Sequence, residues 1–160
     1  MKTQKGRSFI EMLAVLSIVA LLGFSAYKGV EEVMLKNTTD NIWKELLVRI
    51  TARRSHTPGN NNLPGFDNTI HGVTWHNFTS YDTSATNCAG KVPKERWMAI
   101  HIYDMDPRIV QRLLDKARTE SHRSLKCIYS RSAMRVNLLK MENTCTACTD
   151  LSFVFDRGSR

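Results

Sequence analysis

A run of 19 residues, Phe9 to Tyr27, reads FIEMLAVLSIVALLGFSAY and carries one charged side chain, Glu11. Few folds accept such a run. As an α-helix it spans roughly 29 Å at 1.5 Å per residue, about the thickness of a bilayer's hydrocarbon core. Ser17 and Ser25 are the only other clearly polar residues, and a helix absorbs hydroxyls by bonding them to its own carbonyls one turn back. Lys2, Lys5 and Arg7 precede the run, so the positive-inside rule keeps that end cytoplasmic and sends the remainder across. Glu11 is the discordant residue, because a carboxylate near hydrocarbon is costly unless it is compensated.

The helix is predicted to continue. Lys28 to Arg54 holds no proline and one glycine, Gly29. Val30, Val33 and Met34 begin an apolar stripe, Ile42, Leu46 and Ile50 extend it at spacing four, and Trp43 and Leu47 flank it. This is the pattern of an amphipathic face that a globular layer covers. Lys36, Asp40, Lys44 and Arg49 are assigned to the opposite side, and Asn37-Thr38-Thr39-Asp40 is a weak helix former expected to bend or loosen the rod. The composition then shifts. Ser55 to Gly65 is a loop by its prolines, glycines and asparagines, and it separates the helix from a head. Ile70 to Phe78 reads as a short strand pair, and Asp82 to Gly90 as a polar loop around Cys88. Trp97 to Tyr103 alternates as a strand. Asp106-Pro107 is an N-cap followed by proline at the first helical position. The helix it opens runs to about Ser121 and buries Ile109, Val110, Leu113, Leu114 and Ala117. Cys127 to Ser130 and Arg135 to Lys140 read as strands, Asn143 to Thr149 as a turn and Leu151 to Phe155 as a last strand. The expected class is α+β: a long N-terminal helix, half transmembrane and half amphipathic, on a small antiparallel-sheet head.

Gly6, Phe9, Ile10 and Glu11 carry a resemblance. G-R-S-F-I-E followed by an apolar helix resembles the class III signal of type IV pilins and pseudopilins. The resemblance implies a leader of residues 1–6, cut by a prepilin peptidase between Gly6 and Arg7, a helix over 7–54 with its membrane part at about 9–27, and a periplasmic or extracellular head over 55–160. It makes Arg7 the new, usually N-methylated terminus. Members of the family usually begin the mature chain with an apolar residue, and here the residue is Arg7. Glu11 becomes the fifth mature residue, which in the family pairs with a neighbour's N-terminal ammonium, the compensation that a stranded carboxylate needs. The order of elements from Trp97 to Phe155 is similar to the type IVb branch, in which a disulfide clamps the C-terminal region.

The implied function is that of a structural subunit of a type IV pilus or related filament. It is parked in the inner membrane as a single-pass protein with a cytoplasmic N-terminus. An assembly platform then extracts it into a homo-oligomeric filament on the cell surface or in the periplasm. Phe9, Ile10, Glu11, Met12, Leu13, Leu16 and Val19 are the expected assembly residues. A minor pilin or pseudopilin of type II secretion or DNA uptake is an alternative, as is a membrane-anchored binding module. An ordinary secretory signal cut near Gly23-Phe24-Ser25-Ala26, or an uncleaved anchor, also fits an apolar run.

Cys88, Cys127, Cys145 and Cys148 suit an oxidising compartment and allow three full pairings. Cys145-x-x-Cys148 by itself also fits a redox pair or half a zinc site. The flanking threonines lack the helix start that activates a thiol, and Cys88 and Cys127 are spread out as further zinc ligands. Structural disulfides are therefore expected, with Cys88 and Cys127 each bonded to one of Cys145 and Cys148, and no metal. His56, His71, His76, His101 and His122 show no ligand spacing and read as scattered surface residues. No G-x-S-x-G, phosphate loop or paired catalytic carboxylate occurs, so neither an enzyme nor a cofactor is expected. The formal charge is +8, falling to +6 without Lys2 and Lys5. Residues 107–140 hold nine Lys or Arg against Asp115 and Glu120, and Arg108, Arg112 and Lys116 recur at spacing four. Such a face is able to hold DNA or an anionic surface, or is simply solvated and balanced by acidic neighbours.

Overall fold

A computed structural model describes residues 9–54, 66–78, 97–120, 122–131, 137–140 and 145–156. The chain divides into two compact units, Met1–Leu35 and Lys36–Arg160. Helix α1, Phe9–Arg54, is unbroken across the boundary between them. The expected loosening at Asn37–Asp40 leaves its helical assignment intact.

Among the described residues of the first unit, α1 stands alone. From Phe9 to Met34 its apolar side chains are exposed on every side, and even Leu13 keeps 48% of its surface. Ser17 Oγ donates to the Leu13 carbonyl at 2.8 Å and Ser25 Oγ to the Leu21 carbonyl at 2.9 Å, the local satisfaction that an apolar environment demands. The Lys28 ammonium lies 4.7 Å from the centre of the Phe24 ring, a cation held against an aromatic face. Val30, Val33 and Met34 remain exposed here. The predicted stripe therefore starts later than expected, because among the described residues no other element accompanies α1 in this unit.

In the second unit the stripe runs through Thr39, Ile42, Trp43, Leu46, Arg49 and Ile50, all buried. Ile42, Leu46 and Ile50 fall where the spacing predicts. Arg49 does not: it is fully buried rather than on the polar side. At spacing three from Leu46 it belongs to the same helix face.

Among the described residues the head holds one five-stranded antiparallel sheet. The strands are β1 (Thr69–Ile70), β2 (Val73–Phe78), β3 (Trp97–Tyr103), β4 (Leu125–Tyr129) and β5 (Leu151–Asp156), in spatial order β1-β2-β3-β5-β4. The predicted strand pair at Ile70–Phe78 is the β1–β2 hairpin. It turns on His71 (φ 57°) and Gly72 (φ 73°), both left-handed as a type I′ turn requires. Helix α2, Pro107–Thr119, connects β3 to β4. Asp106 caps it by accepting the Arg108 backbone N–H at 2.8 Å, and the five predicted apolar residues are all buried.

Register assigns the faces. Trp75, Ile102 and Leu151 lie in one cross-strand row, and Ile100, Phe153 and Ile128 in the next. Trp43 of α1 meets Phe153 edge to face at 6.4 Å, so α1 packs on this side. The opposite side is also covered where β3, β5 and β4 meet, since Ala99, His101, Ser152, Val154, Cys127 and Tyr129 are buried. The predicted Arg135–Lys140 strand is not formed over its described residues. Asn137–Lys140 is a turn whose Leu138 N–H donates to the Ile128 carbonyl at 2.7 Å. Arg118 of α2 holds that turn through the Leu138 and Lys140 carbonyls. The arrangement stops β4 from templating another strand.

Candidate functional site

The expected assembly residues lie on the first three turns of α1. Phe9, Ile10, Met12, Leu13, Leu16 and Val19 are all exposed, Phe9 and Ile10 by about three quarters of their surface. Glu11 is the acidic residue of the helix's first turn, where the helix dipole favours a carboxylate by roughly 0.3–1 kcal/mol. One face of the helix carries Glu11, Val15, Ile18 and Leu22 in helical register, so the carboxylate ends an apolar ridge. Gly6 and Arg7 lie outside the described residues. This helix is long and apolar enough to cross a membrane, and its apolar window is buried nowhere in the fold.

The cysteines depart from the expected pairing. Cys145 and Cys148 are bonded to each other, with Cα atoms 5.6 Å apart. The bend at Thr146-Ala147 folds the chain back between them, so a bond at spacing three needs no distant partner. Closing so short a loop stabilises the fold by about 2 kcal/mol in the chain-entropy account. Cys127 is disulfide-bonded as well, and Cys88 lies outside the described residues.

The basic row on α2 is largely matched by acids. Arg108 Nη2 sits 2.9 Å from the Asp106 carboxylate. Lys116 Nζ bridges Asp40 on α1 at 2.8 Å and Glu120 at 3.0 Å. The hydrogen bond to Asp40, followed by that to Glu120, raises the Lys116 pKa above its ordinary value. The same Lys116 bond holds the Asp40 carboxyl below the usual carboxylate range. Arg112, Asp115 and Lys116 from α2 join Lys36, Thr39 and Asp40 from α1 around an open cleft of about 230 Å³.

Two buried polar residues escaped the sequence pattern. Arg49 Nε donates to Glu45 Oε1 at 2.7 Å and Nη2 to the Asp67 carbonyl at 2.6 Å. Its guanidinium lies 4.5 Å from the centre of the Trp75 ring and 5.1 Å from that of Phe66, and Nη1 has no hydrogen-bond partner. His101, expected at the surface, is buried with its Nδ1 hydrogen-bonded to Ser152 Oγ. It stacks on Tyr103 and meets Tyr129 edge-on. The reason is the covering of both sheet faces, which leaves no solvent side at the centre of β3. His122 is half-buried against Ser124 and Phe155, while His71 and His76 are exposed and His56 is outside the described residues.

Ser130 Oγ and the Arg131 N–H both bond the Asp150 carboxylate. Serine, histidine and carboxylate thus serve two separate packing contacts here. Among the described residues no group of three or more His, Cys, Asp or Glu is placed to hold a metal. No protein-family model, curated protein or solved structure matches the chain.

Proposed function

We propose that the chain is a membrane-anchored subunit that polymerises through α1 into a filament of the type IV pilus class. The observation that carries this reading is α1 itself. One unbroken helix exposes apolar side chains all round over its first half, and from Thr39 onward buries one face in a folded head. Side chains exposed on every side need a surrounding apolar medium. Lipid supplies it first, and neighbouring helices supply it after assembly, at little hydrophobic cost because one apolar environment replaces another. Glu11 distinguishes the two states. In lipid it lacks a partner, whereas in a helix bundle the N-terminal ammonium left by cleavage after Gly6 can neutralise it. The subunit acts by assembly, and the head forms the outer surface.

The test is the Glu11→Ala variant of the full chain. It should be processed and held in the membrane at wild-type level, yet appear in sheared filaments at no more than about a tenth of the wild-type amount, the effect of losing one compensated buried charge. Wild-type filament yield in Glu11→Ala would overturn the mechanism. Intact mass of the membrane-extracted chain checks the assigned cut, which Gly6→Ala should abolish.

A further inference from the structure

We infer that two copies of this chain pair in the membrane, parallel and in register, along a seam formed by Gly23, Ala26, Val30 and Val33 of α1. The inference rests on the membrane anchoring in the reading above and not on polymerisation.

The bilayer leaves part of α1 uncovered. The 19-residue apolar run ends at Tyr27 and by itself matches the hydrocarbon thickness. Val30 and Val33 follow roughly 5 and 9 Å further along the helix, beyond the acyl chains. They keep 55% and 68% of their surface, so their own chain does not cover them either. A second copy is the partner that stands at the same height. Identical apolar runs hold parallel copies at one depth, and each then presents Val30 and Val33 to the same residues of the other.

The spacing suits that partner. Gly23, Ala26, Val30 and Val33 are three, four and three residues apart, the alternation that keeps one narrow helix face turned toward a parallel neighbour. Continued by four it reaches Asn37, where the apolar pattern stops. On this repeat Lys28, Glu31 and Glu32 all take outer positions, while the positions flanking the seam are Tyr27, Gly29 and Met34. Lys28 lies against Phe24, which is likewise an outer position. A Cβ added at Gly23 or Gly29 would meet nothing within 4 Å. The two glycines therefore serve no close contact within the chain and leave room for a neighbouring helix, and small residues let backbones approach inside lipid. The same patch is used by both copies, so the contact closes as a two-fold dimer.

The experiment is cysteine cross-linking of the full chain in membranes under mild oxidation. Among the described residues no cysteine is free, and the wild-type chain should give no linked species. Val30→Cys and Val33→Cys should each convert about half or more of the membrane-held subunit into a disulfide-linked dimer, because a disulfide forms only where two Cα atoms come within about 7 Å. Lys28→Cys and Glu31→Cys, on the outer side, should give less than about a tenth. Monomer alone in both seam variants, or equal linking at seam and outer positions, overturns the inference. A linked species whose mass shows a different protein overturns it as well. Glu11→Ala separates this pair from the filament reading. Combined with Val33→Cys it should lose filaments and keep the membrane dimer. Wild-type filaments from that variant together with the dimer remove the filament mechanism and retain the pair. A Val33→Cys dimer confined to sheared filaments and absent from the membrane overturns the pair and assigns Val30 and Val33 to an assembly contact.

Discussion

Arg49 offers a sharp test of how the head is held together. It is wholly buried, its Glu45 partner keeps 16% of its side-chain surface, and one guanidinium nitrogen is unpaired. Replacing Arg49 by Met keeps an apolar stem against Trp75 but strands the Glu45 carboxylate and frees the Asp67 carbonyl. Breaking one side of a largely buried ion pair costs about 3 kcal/mol, even after the unpaired Nη1 is relieved. Removing the second charge as well, in Arg49→Met with Glu45→Leu, eliminates the stranded carboxylate. A buried pair exchanged for apolar residues is often neutral or better, so the double variant should return to within about 1 kcal/mol of wild type. Urea unfolding of the detergent-solubilised full chain, followed by tryptophan fluorescence, reads the difference. At a typical slope near 2 kcal/mol per molar, the single variant shifts the midpoint down by about 1.5 M and the double by under about 0.5 M. A double variant no more stable than the single would refute the reasoning. It would mean that the guanidinium's contacts with Trp75, Phe66 and the Asp67 carbonyl carry the stability, not the charge pair.

Three further outcomes are expected. Asp40→Asn should lower stability near neutral pH by roughly 0.5 kcal/mol, since its bond to Lys116 is partly solvated. Because folding lowers the Asp40 pKa from 3.8, its contribution is full above that value and fades as pH falls through the lower folded value. The Lys116 pKa is raised from 10.5, so its share is full below 10.5 and is lost as pH rises through the higher folded value. The gap between wild type and variant, measured by unfolding across pH, should therefore be flat between those limits and close at both ends. Asp106→Ala removes the α2 cap and should cost about 1 kcal/mol in the same unfolding assay. Gly72→Ala meets no neighbour within 4 Å, so its cost of about 1–2 kcal/mol is purely that of a side chain at positive φ, and adding bulk with Gly72→Ser should not increase it much.

Local signals were legible and covering layers were not. The α2 boundaries could be read from Asp106-Pro107 and from five apolar residues at helical spacing, and the β3 strand from simple alternation. The membrane-length segment of α1 needed only its composition. What failed depends on what lies opposite. Arg49 is a charged residue by type, and only Glu45, Asp67 and two aromatic rings make its burial tolerable. Its place three residues after Leu46 was a usable sign, had position been weighed above chemistry. His101 reads as a surface residue with the other histidines because they show no ligand spacing; it lies on the face of β3 opposite Met98, Ile100 and Ile102, and alternation says nothing about a second cover. Asn137–Lys140 has strand-like composition, yet Arg118 bonds the carbonyls 20 and 22 residues later and fixes it as a turn. The Cys145–Cys148 bond was within reach of spacing alone, but spacing permits a pairing without choosing it.

The place of β5 has a consequence for how the head matures. Among the described residues it is the last strand in chain order, lies between β3 and β4, and is the only strand that β4 pairs with. Until it arrives, β1–β3 form a hairpin-based ribbon with an open edge, and β4 has no sheet to join. The paired positions His101 and Ser152 are 51 apart in the chain, so closure is a late, non-local step. During that interval the unsatisfied edge of β3 is the surface that has to be kept from other chains. The head is thus complete only when Leu151–Asp156 has taken its place between β3 and β4, which makes the arrival of that strand the checkpoint for folding.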